Sequence, residues 1–282
     1  MIRPAVPPTV SAVAAHYNDL SRWYLEIWGE HVHHGLWENG HETPEEAVRQ
    51  LVRRVGEAIE IKPGDRVCDV GCGYGATARQ LAEEHGAEVL GVTLSEAQFR
   101  FATDSGRVTA NTSYLLANWL ENGLPDAAFD AVLAIESTEH MPALDRCLFE
   151  CYRVLKPGGR VAVCTWLTSA APRAWEVRRI LEPICREGRL FAMGTERDYR
   201  ERLTAAGFSH IQCCDLTRNV RSTWSVCLRR MLTLFGKNPE ARKFLWDGSS
   251  ETVFAKAVFR IWLAYRVGAM RYGLFTARRP AF

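Results

Sequence analysis

Val67-Cys68-Asp69-Val70-Gly71-Cys72-Gly73-Tyr74-Gly75-Ala76 decides how this chain reads. An apolar strand runs into a turn with glycine at every second position, and a helix is expected from about Thr77. Glycine permits φ > 0 and lets a ligand approach where a Cβ would stand. The helix behind it offers unpaired N–H groups and a partial positive charge. This is the arrangement of a nucleotide-type cofactor site at the carboxyl edge of a parallel sheet. Alone, the run leaves other readings open. One is a tight turn with no ligand; another is the dinucleotide fingerprint G-x-G-x-x-G/A, which fits Gly71, Gly73 and Ala76.

Outward from this run, strands and helices alternate. Strands are expected at Arg66–Val70, Glu88–Leu94, Ser113–Ala117, Phe129–Ile135 and Arg160–Trp166. Ser95 caps one intervening helix, and Leu144–Leu155 forms another, stopped by Lys156-Pro157-Gly158-Gly159. The alternation implies right-handed crossovers and a parallel sheet covered on both faces. After Trp166 the rhythm changes: an irregular helical stretch, a helix over Glu196–Ala206, a strand within Phe208–Val220, a long aromatic and basic helical region, and a final strand at Met270–Ala277. The fold class is α/β, with a Rossmann-like seven-stranded, mostly parallel sheet and helices on both faces. Helical lid segments are expected over residues 1–60, the cofactor-binding core over 61–168, and the rest of the sheet with a helical cap over 169–282, all in a single structural domain.

Upstream, Val10–Glu38 is rich in aromatics and histidines. Leu20, Trp23, Tyr24, Ile27 and Trp28 share one helical face. This face packs on the main domain and doubles as a lid over a pocket, since aromatics with polar tips suit a site apolar at one end and wet at the other. His33 and His34 sit just past it. Thr43-Pro44-Glu45-Glu46 is a helix start with a capping box.

The net charge of +2 gives no reason to expect nucleic acid, and the apolar stretch near Val253–Met270 is broken by Lys256, Arg260 and Arg266, so no integral membrane segment is expected. Nine cysteines, several on expected buried strands (Cys68, Cys164, Cys213), fit reduced thiols in a cytoplasm. Cys147 and Cys151 lack two further ligands, so no metal is expected, and both read as small buried hydrophobes. Met1–Val10 is proline-rich, lacks a signal-peptide core and reads as a loose tail. Oligomeric state has no handle here.

The second strand discriminates between cofactors. A dinucleotide enzyme places Asp or Glu at its end, to hold the ribose hydroxyls. Here Thr93 takes that place, followed by Leu94. Asp69 before the glycines can orient the loop and receive an ammonium. Asn118-Trp119 after the third strand can read and stack on an adenine.

With Leu155-Lys156-Pro157-Gly158-Gly159, the chain resembles class I S-adenosylmethionine-dependent methyltransferases, and within them the tocopherol C-methyltransferase-like small-molecule group. The resemblance rests on Ile27–Gly35, the glycine loop, Gly91–Gln98, Glu136–Pro142 and the turn at Lys156, within residues 15–166. It implies S-adenosylmethionine as methyl donor and S-adenosylhomocysteine as product. It also implies that Asp69, Gly71, Cys72, Gly73, Gly75, Thr93, Leu94, Gln98, Asn118, Trp119 and Glu136 surround the cofactor, with Gln98 holding the ribose. The group is related to cyclopropane fatty acid synthases, which hold a catalytic carbonate partly through a histidine on the fifth strand. Cys164 stands at the matching position, which argues against cyclopropane formation on a lipid.

The nucleophile has a proton to lose, and Glu136, Glu139 and His140 follow the fourth strand where the methyl is expected. His140 is the expected general base, the alternative being a purely structural role; Glu139 and His34 are further catalytic candidates. Tyr24, Trp28, His33, Trp166 and Tyr265 are candidate acceptor contacts. With Trp23 and Trp37 in the lid, and Trp224, Phe244, Trp246, Phe254 and Trp262 in the cap, they suggest a fairly large, partly apolar small molecule: an isoprenoid, a phenol or another natural product. C-methylation is favoured, with O- and N-methylation open. A nicotinamide-dependent oxidoreductase and a non-catalytic cofactor-binding module are the competing classes.

Overall fold

The computed structural model describes residues 1–104, 106–237 and 250–281. It opens with α1 (Val10–Asp19) and α2 (Ser21–Ile27). The expected amphipathic face is there, with Leu20, Tyr24 and Ile27 buried. That face belongs to α2, and a turn at Leu20 sets it off from α1. In α3 (Pro44–Ala58) the capping box forms as read: Thr43 accepts from the Glu46 amide, and the Glu46 carboxylate accepts from the Thr43 amide.

The alternating half comprises β1 (Arg66–Val70), α4 (Ala76–His85), β2 (Glu88–Thr93), α5 (Glu96–Thr103), β3 (Thr112–Leu116), β4 (Phe129–Ile135), α6 (Leu144–Val154) and β5 (Leu155–Thr168). Then follow α7 (Ala174–Glu176), a π-helical turn over Val177–Leu181, α8 (Glu182–Glu187), α9 (Glu196–Ala205), β6 (Ser209–Asp215), α10 (Thr217–Val220), α11 (Ser222–Lys237), α12 (Ser250–Val267) and β7 (Met270–Arg278). The strand order is β3-β2-β1-β4-β5-β7-β6, parallel except for β7, which runs antiparallel to both neighbours. The order reverses between β1 and β4, and the crevice at that switch point is where ligands bind in such sheets.

Side chains alternate across the sheet. Ala131, Leu133 and Ile135 of β4 join a core with Leu51 and Val55 of α3 and Leu81 of α4. Val132 and Ala134 join the opposite core with Leu148 and Cys151 of α6 and Leu203 of α9. All nine cysteines are free, and Cys147 and Cys151 are buried as small hydrophobes. The Lys156–Gly159 turn is pinned from the C-terminal side: Gly158 N donates to Arg279 O at 3.0 Å, and Arg279 N donates to Gly159 O at 2.9 Å.

One expectation fails at the start of the chain. The first residues are not a loose tail: Ile2 and Met193 exchange backbone hydrogen bonds of 2.8 Å. The prolines that follow remove donors but do not stop a short antiparallel bridge ahead of them. The cap helices α11 and α12 lie between β6 and β7, as read. Phe244 and Trp246 lie outside the described residues, as does the side chain of Phe254.

Gly71 shows why β1 ends in glycine. Its φ is +79°, and a Cβ there would collide with Ser137 Cβ. Gly71→Ala combines left-handed strain with overpacking, so it should cost about 2–4 kcal/mol of stability, read as a drop in the urea midpoint. An unchanged midpoint would contradict the close approach of these two loops.

Candidate active site

Two clefts meet at the carboxyl edge of β1 and β4. The first, about 800 Å³, is bounded by the glycine loop, the end of β2, the turn after β3, the turn after β4, and α1. Of the residues expected around the cofactor, Gly71, Gly73, Thr93, Leu94, Gln98, Asn118, Trp119 and Glu136 line it. Asp69, Cys72 and Gly75 do not line it but stand behind its wall. Gly75 caps α4 with φ +79°. The Cys72 thiol is buried and turned to Gly73 O.

This cleft has the features an adenosyl amino acid needs. A Cβ built on Gly73 meets nothing nearer than Gln98 Nε2 at 3.9 Å, so glycine there leaves open cleft. Thr93 donates to Gln98 Oε1 at 2.9 Å, which presents the Gln98 amide NH₂ for a ribose hydroxyl. Asp69 is buried with Oδ2 unpartnered among the described residues, and burial pushes its carboxyl up to about 7. A cation or N–H donor brought near would stabilise its ionised form. Asn118 caps the short turn over Trp119–Glu121 by accepting from Leu120 N, which leaves its NH₂ for a base edge. The Trp119 indole N–H is committed to Cys147 O at 3.2 Å, so only part of the ring faces the cleft.

The second cleft, about 620 Å³, lies under the lid and the cap. Tyr24 of α2, Trp28 just past it, Trp166 of β5, Trp224 of α11, and Val258 and Ile261 of α12 line it. Tyr17, Val32, Glu136 and His140 line both clefts and mark their junction.

Glu136 and His140 differ in what they are free to do. Glu136 has φ +54° and a buried carboxylate. Its Oε1 accepts from His34 N (2.8 Å), His34 Nδ1 (2.9 Å) and Tyr272 Oη (2.8 Å), and its Oε2 accepts from Trp166 Nε1 (2.7 Å). Burial opposes its ionisation, but the His34 ring and these hydrogen bonds hold the carboxyl well below the usual carboxylate range. His140 Nδ1 lies 3.3 Å from Arg189 O, a carbonyl that only accepts, so Nδ1 carries the proton. Its Nε2 lone pair then faces the Tyr17 hydroxyl at 2.9 Å. Burial lowers the His140 pKa to about 4, so the ring is neutral near pH 7.

Several candidates are placed elsewhere. His34 is not a base: Trp224 Nε1, a donor only, reaches its Nε2 at 2.6 Å, while its Nδ1 is bonded to Glu136, so neither nitrogen has a lone pair for substrate. His33 lines neither cleft. It pairs with His31 Nδ1 at 3.2 Å and donates from Nδ1 to His34 O. Tyr265 also lines neither cleft; its ring packs against His34, 5.5 Å between centroids. Glu139 is buried away from both. Its Oε1 accepts from Trp166 N at 2.7 Å, holding the end of β5, and burial raises its carboxyl to about 7. Tyr17 was not among the candidates, although it faces His140 and both clefts. Its position beside His16, in helical register with Leu20 and Tyr24, was the available signal.

Residues 68–163 match the family described as a methyltransferase domain. Across 95% of the chain and 82% of its own length, the chloroplastic tocopherol O-methyltransferase of Arabidopsis thaliana is 32% identical. The 27-O-demethylrifamycin SV methyltransferase of Amycolatopsis mediterranei is 29% identical over 97% of this chain and 98% of its own. Among solved structures, the [4+2]-cyclase SpnF superposes with a TM-score of 0.84 at 26% identity, covering 100% of both chains.

Gly73→Val sends a β-branched side chain into the first cleft from a φ of +53°. It should abolish S-adenosylhomocysteine binding by calorimetry while the thermal transition stays cooperative. Wild-type binding heats would remove the glycine loop from the site.

Proposed function

The chain belongs to the class I S-adenosylmethionine-dependent methyltransferases that act on small molecules, and from that we propose that it methylates a hydroxyl oxygen on a large, partly apolar natural product. The family assignment replaces the oxidoreductase and non-catalytic readings. S-adenosylmethionine, held by the first cleft, supplies an electrophilic methyl on a sulfonium. The acceptor occupies the second cleft, whose aromatic and aliphatic walls suit a ring system or a prenyl chain. Its reacting hydroxyl sits at the junction, in place of or beside the Tyr17 hydroxyl.

The observation that carries this reading is the unprotonated His140 Nε2 at that junction. A hydroxyl must give up a proton as its oxygen gains the methyl, and a neutral imidazole within hydrogen-bond reach accepts it. Arg189 O holds the opposite nitrogen and keeps the tautomer. Glu136 lies near enough to favour the imidazolium that forms. The lid and cap exclude water, and most of the protein's contribution is positioning. Oxygen is preferred over the carbon acceptor favoured at first, because the Arabidopsis and Amycolatopsis relatives, each aligned along nearly the whole chain, carry names that point to a methylated oxygen.

With S-[methyl-¹³C]adenosylmethionine and a panel of hydroxylated polyketides and prenylated phenols, the label should appear as a methoxyl resonance. Label found only on carbon would overturn the oxygen assignment. His140→Ala should lower turnover about 100-fold or more, with S-adenosylhomocysteine affinity little changed; wild-type turnover would end the base assignment. The base works only when neutral, so activity should be lost as pH falls through about 4, rather than near the ordinary histidine value of about 6.5.

A further inference from the structure

The glycine loop, the turn after β2 and the turn after β4, which all shape the first cleft, are also bonded to the lid. Asn18, on the last turn of α1, accepts through Oδ1 from Ser95 Oγ at 2.7 Å and from Ala97 N at 3.2 Å. Ser95 is the N-cap of α5, and its hydroxyl accepts in turn from Gln98 N at 3.2 Å. Asn18 is therefore one side chain removed from the residue that presents its amide to the first cleft. Beyond the turn at Leu20, the hydroxyl of Tyr74, inside the glycine loop, donates to Ser21 O at 3.0 Å and pairs with Ser21 Oγ at 2.9 Å. Past α2, Glu30 pairs with Arg79 at 2.6 Å, and Arg79 Nη1 donates to Tyr74 O at 3.0 Å.

The lid in turn builds both clefts. Val10, Val13 and Ala14 of α1 wall the first. His16 of α1, Tyr24 of α2 and Trp28 at its end wall the second, and Tyr17, next to Asn18, crosses from one to the other to reach His140. The ligand of the first cleft is thus covered by a helix whose docking depends on the loops that ligand touches.

We infer that Asn18 is a positioning residue: it ties lid closure to the conformation of the cofactor loops, so that cofactor binding assembles the acceptor cleft and the Tyr17–His140 contact. The polarity of the contact matters. Oδ1 receives two donors, one of them a backbone N–H at the start of α5. An aspartate keeps both acceptor interactions and adds negative charge where a helix N-terminus favours it. A leucine of similar size loses both and leaves the donors unpaired.

Hydrogen–deuterium exchange across α1 and α2, with and without S-adenosylhomocysteine, tests this together with calorimetry. Neither measurement uses an acceptor, so a wrong acceptor class under the proposed function leaves the test intact. In the wild type, S-adenosylhomocysteine should slow exchange in both helices. Asn18→Leu should lose that protection and weaken S-adenosylhomocysteine binding about tenfold, and Asn18→Asp should restore both. Should Asn18→Leu fail to fold, Tyr74→Phe, which removes the Ser21 contact, should show the same loss of protection. Wild-type affinity and wild-type protection in Asn18→Leu would overturn the inference, as would a lowered melting temperature with ligand-induced protection intact, since that marks Asn18 as merely structural.

Discussion

An ionised carboxylate buried at the end of β4 governs the architecture around both clefts. A charge taken out of water is tolerated only when it is paired and hydrogen-bonded. Glu136 meets that demand by drawing donors from distant parts of the chain: His34 from the loop after the lid, Trp166 from β5 and Tyr272 from β7. Trp224 of the cap joins through His34. The lid loop, the sheet and the cap are therefore joined at one point, and the second cleft opens beside it. The left-handed backbone of Glu136 is part of the same arrangement, since it turns the chain out of β4 and into the loop that carries His140. Strain of this kind persists where the surroundings over-determine it.

The network separates two histidines that composition alone treats alike. Both His34 and His140 lie within reach of the Glu136 charge, His34 buried and His140 partly buried. At His34, a donor-only indole and a carboxylate occupy the two nitrogens, and the ring serves as a bridge. At His140, a backbone carbonyl takes the N–H and leaves the other nitrogen facing the Tyr17 hydroxyl at the junction of two clefts. The first arrangement builds the wall; the second leaves a lone pair for chemistry. Glu139 shows the same division among the acids, holding the end of β5 while Glu136 reaches both clefts.

Much of the local structure was legible because its causes are local. The capping box at Thr43–Glu46, the cap at Ser95 and the glycines at Gly71, Gly73 and Gly75 depend on a few neighbouring residues and on φ preferences, and all appear as read. Thr93 and Asn118 stand at the ends of neighbouring strands and fall on one cleft with Gln98, which the resemblance had singled out. The errors concern contacts between elements far apart in the chain. The bridge between Ile2 and Met193 and the seating of Tyr265 against His34 leave no trace in hydrophobic period or capping pattern. Tyr17 went unmarked for the same reason, since its partner lies in the loop after β4.

The sequence by itself determined the α/β alternation, the mostly parallel sheet, and the glycine turn at its carboxyl edge. Those follow from period, caps and glycine, which act over a few residues. Only the tertiary structure decided which histidine keeps a usable lone pair, which aromatics face a cleft instead of the core, and how the lid is fastened. Hydrogen-bond partners decide those matters. A donor such as the Trp224 indole or an acceptor such as Arg189 O comes from an element whose distance in the chain says nothing of its distance in space.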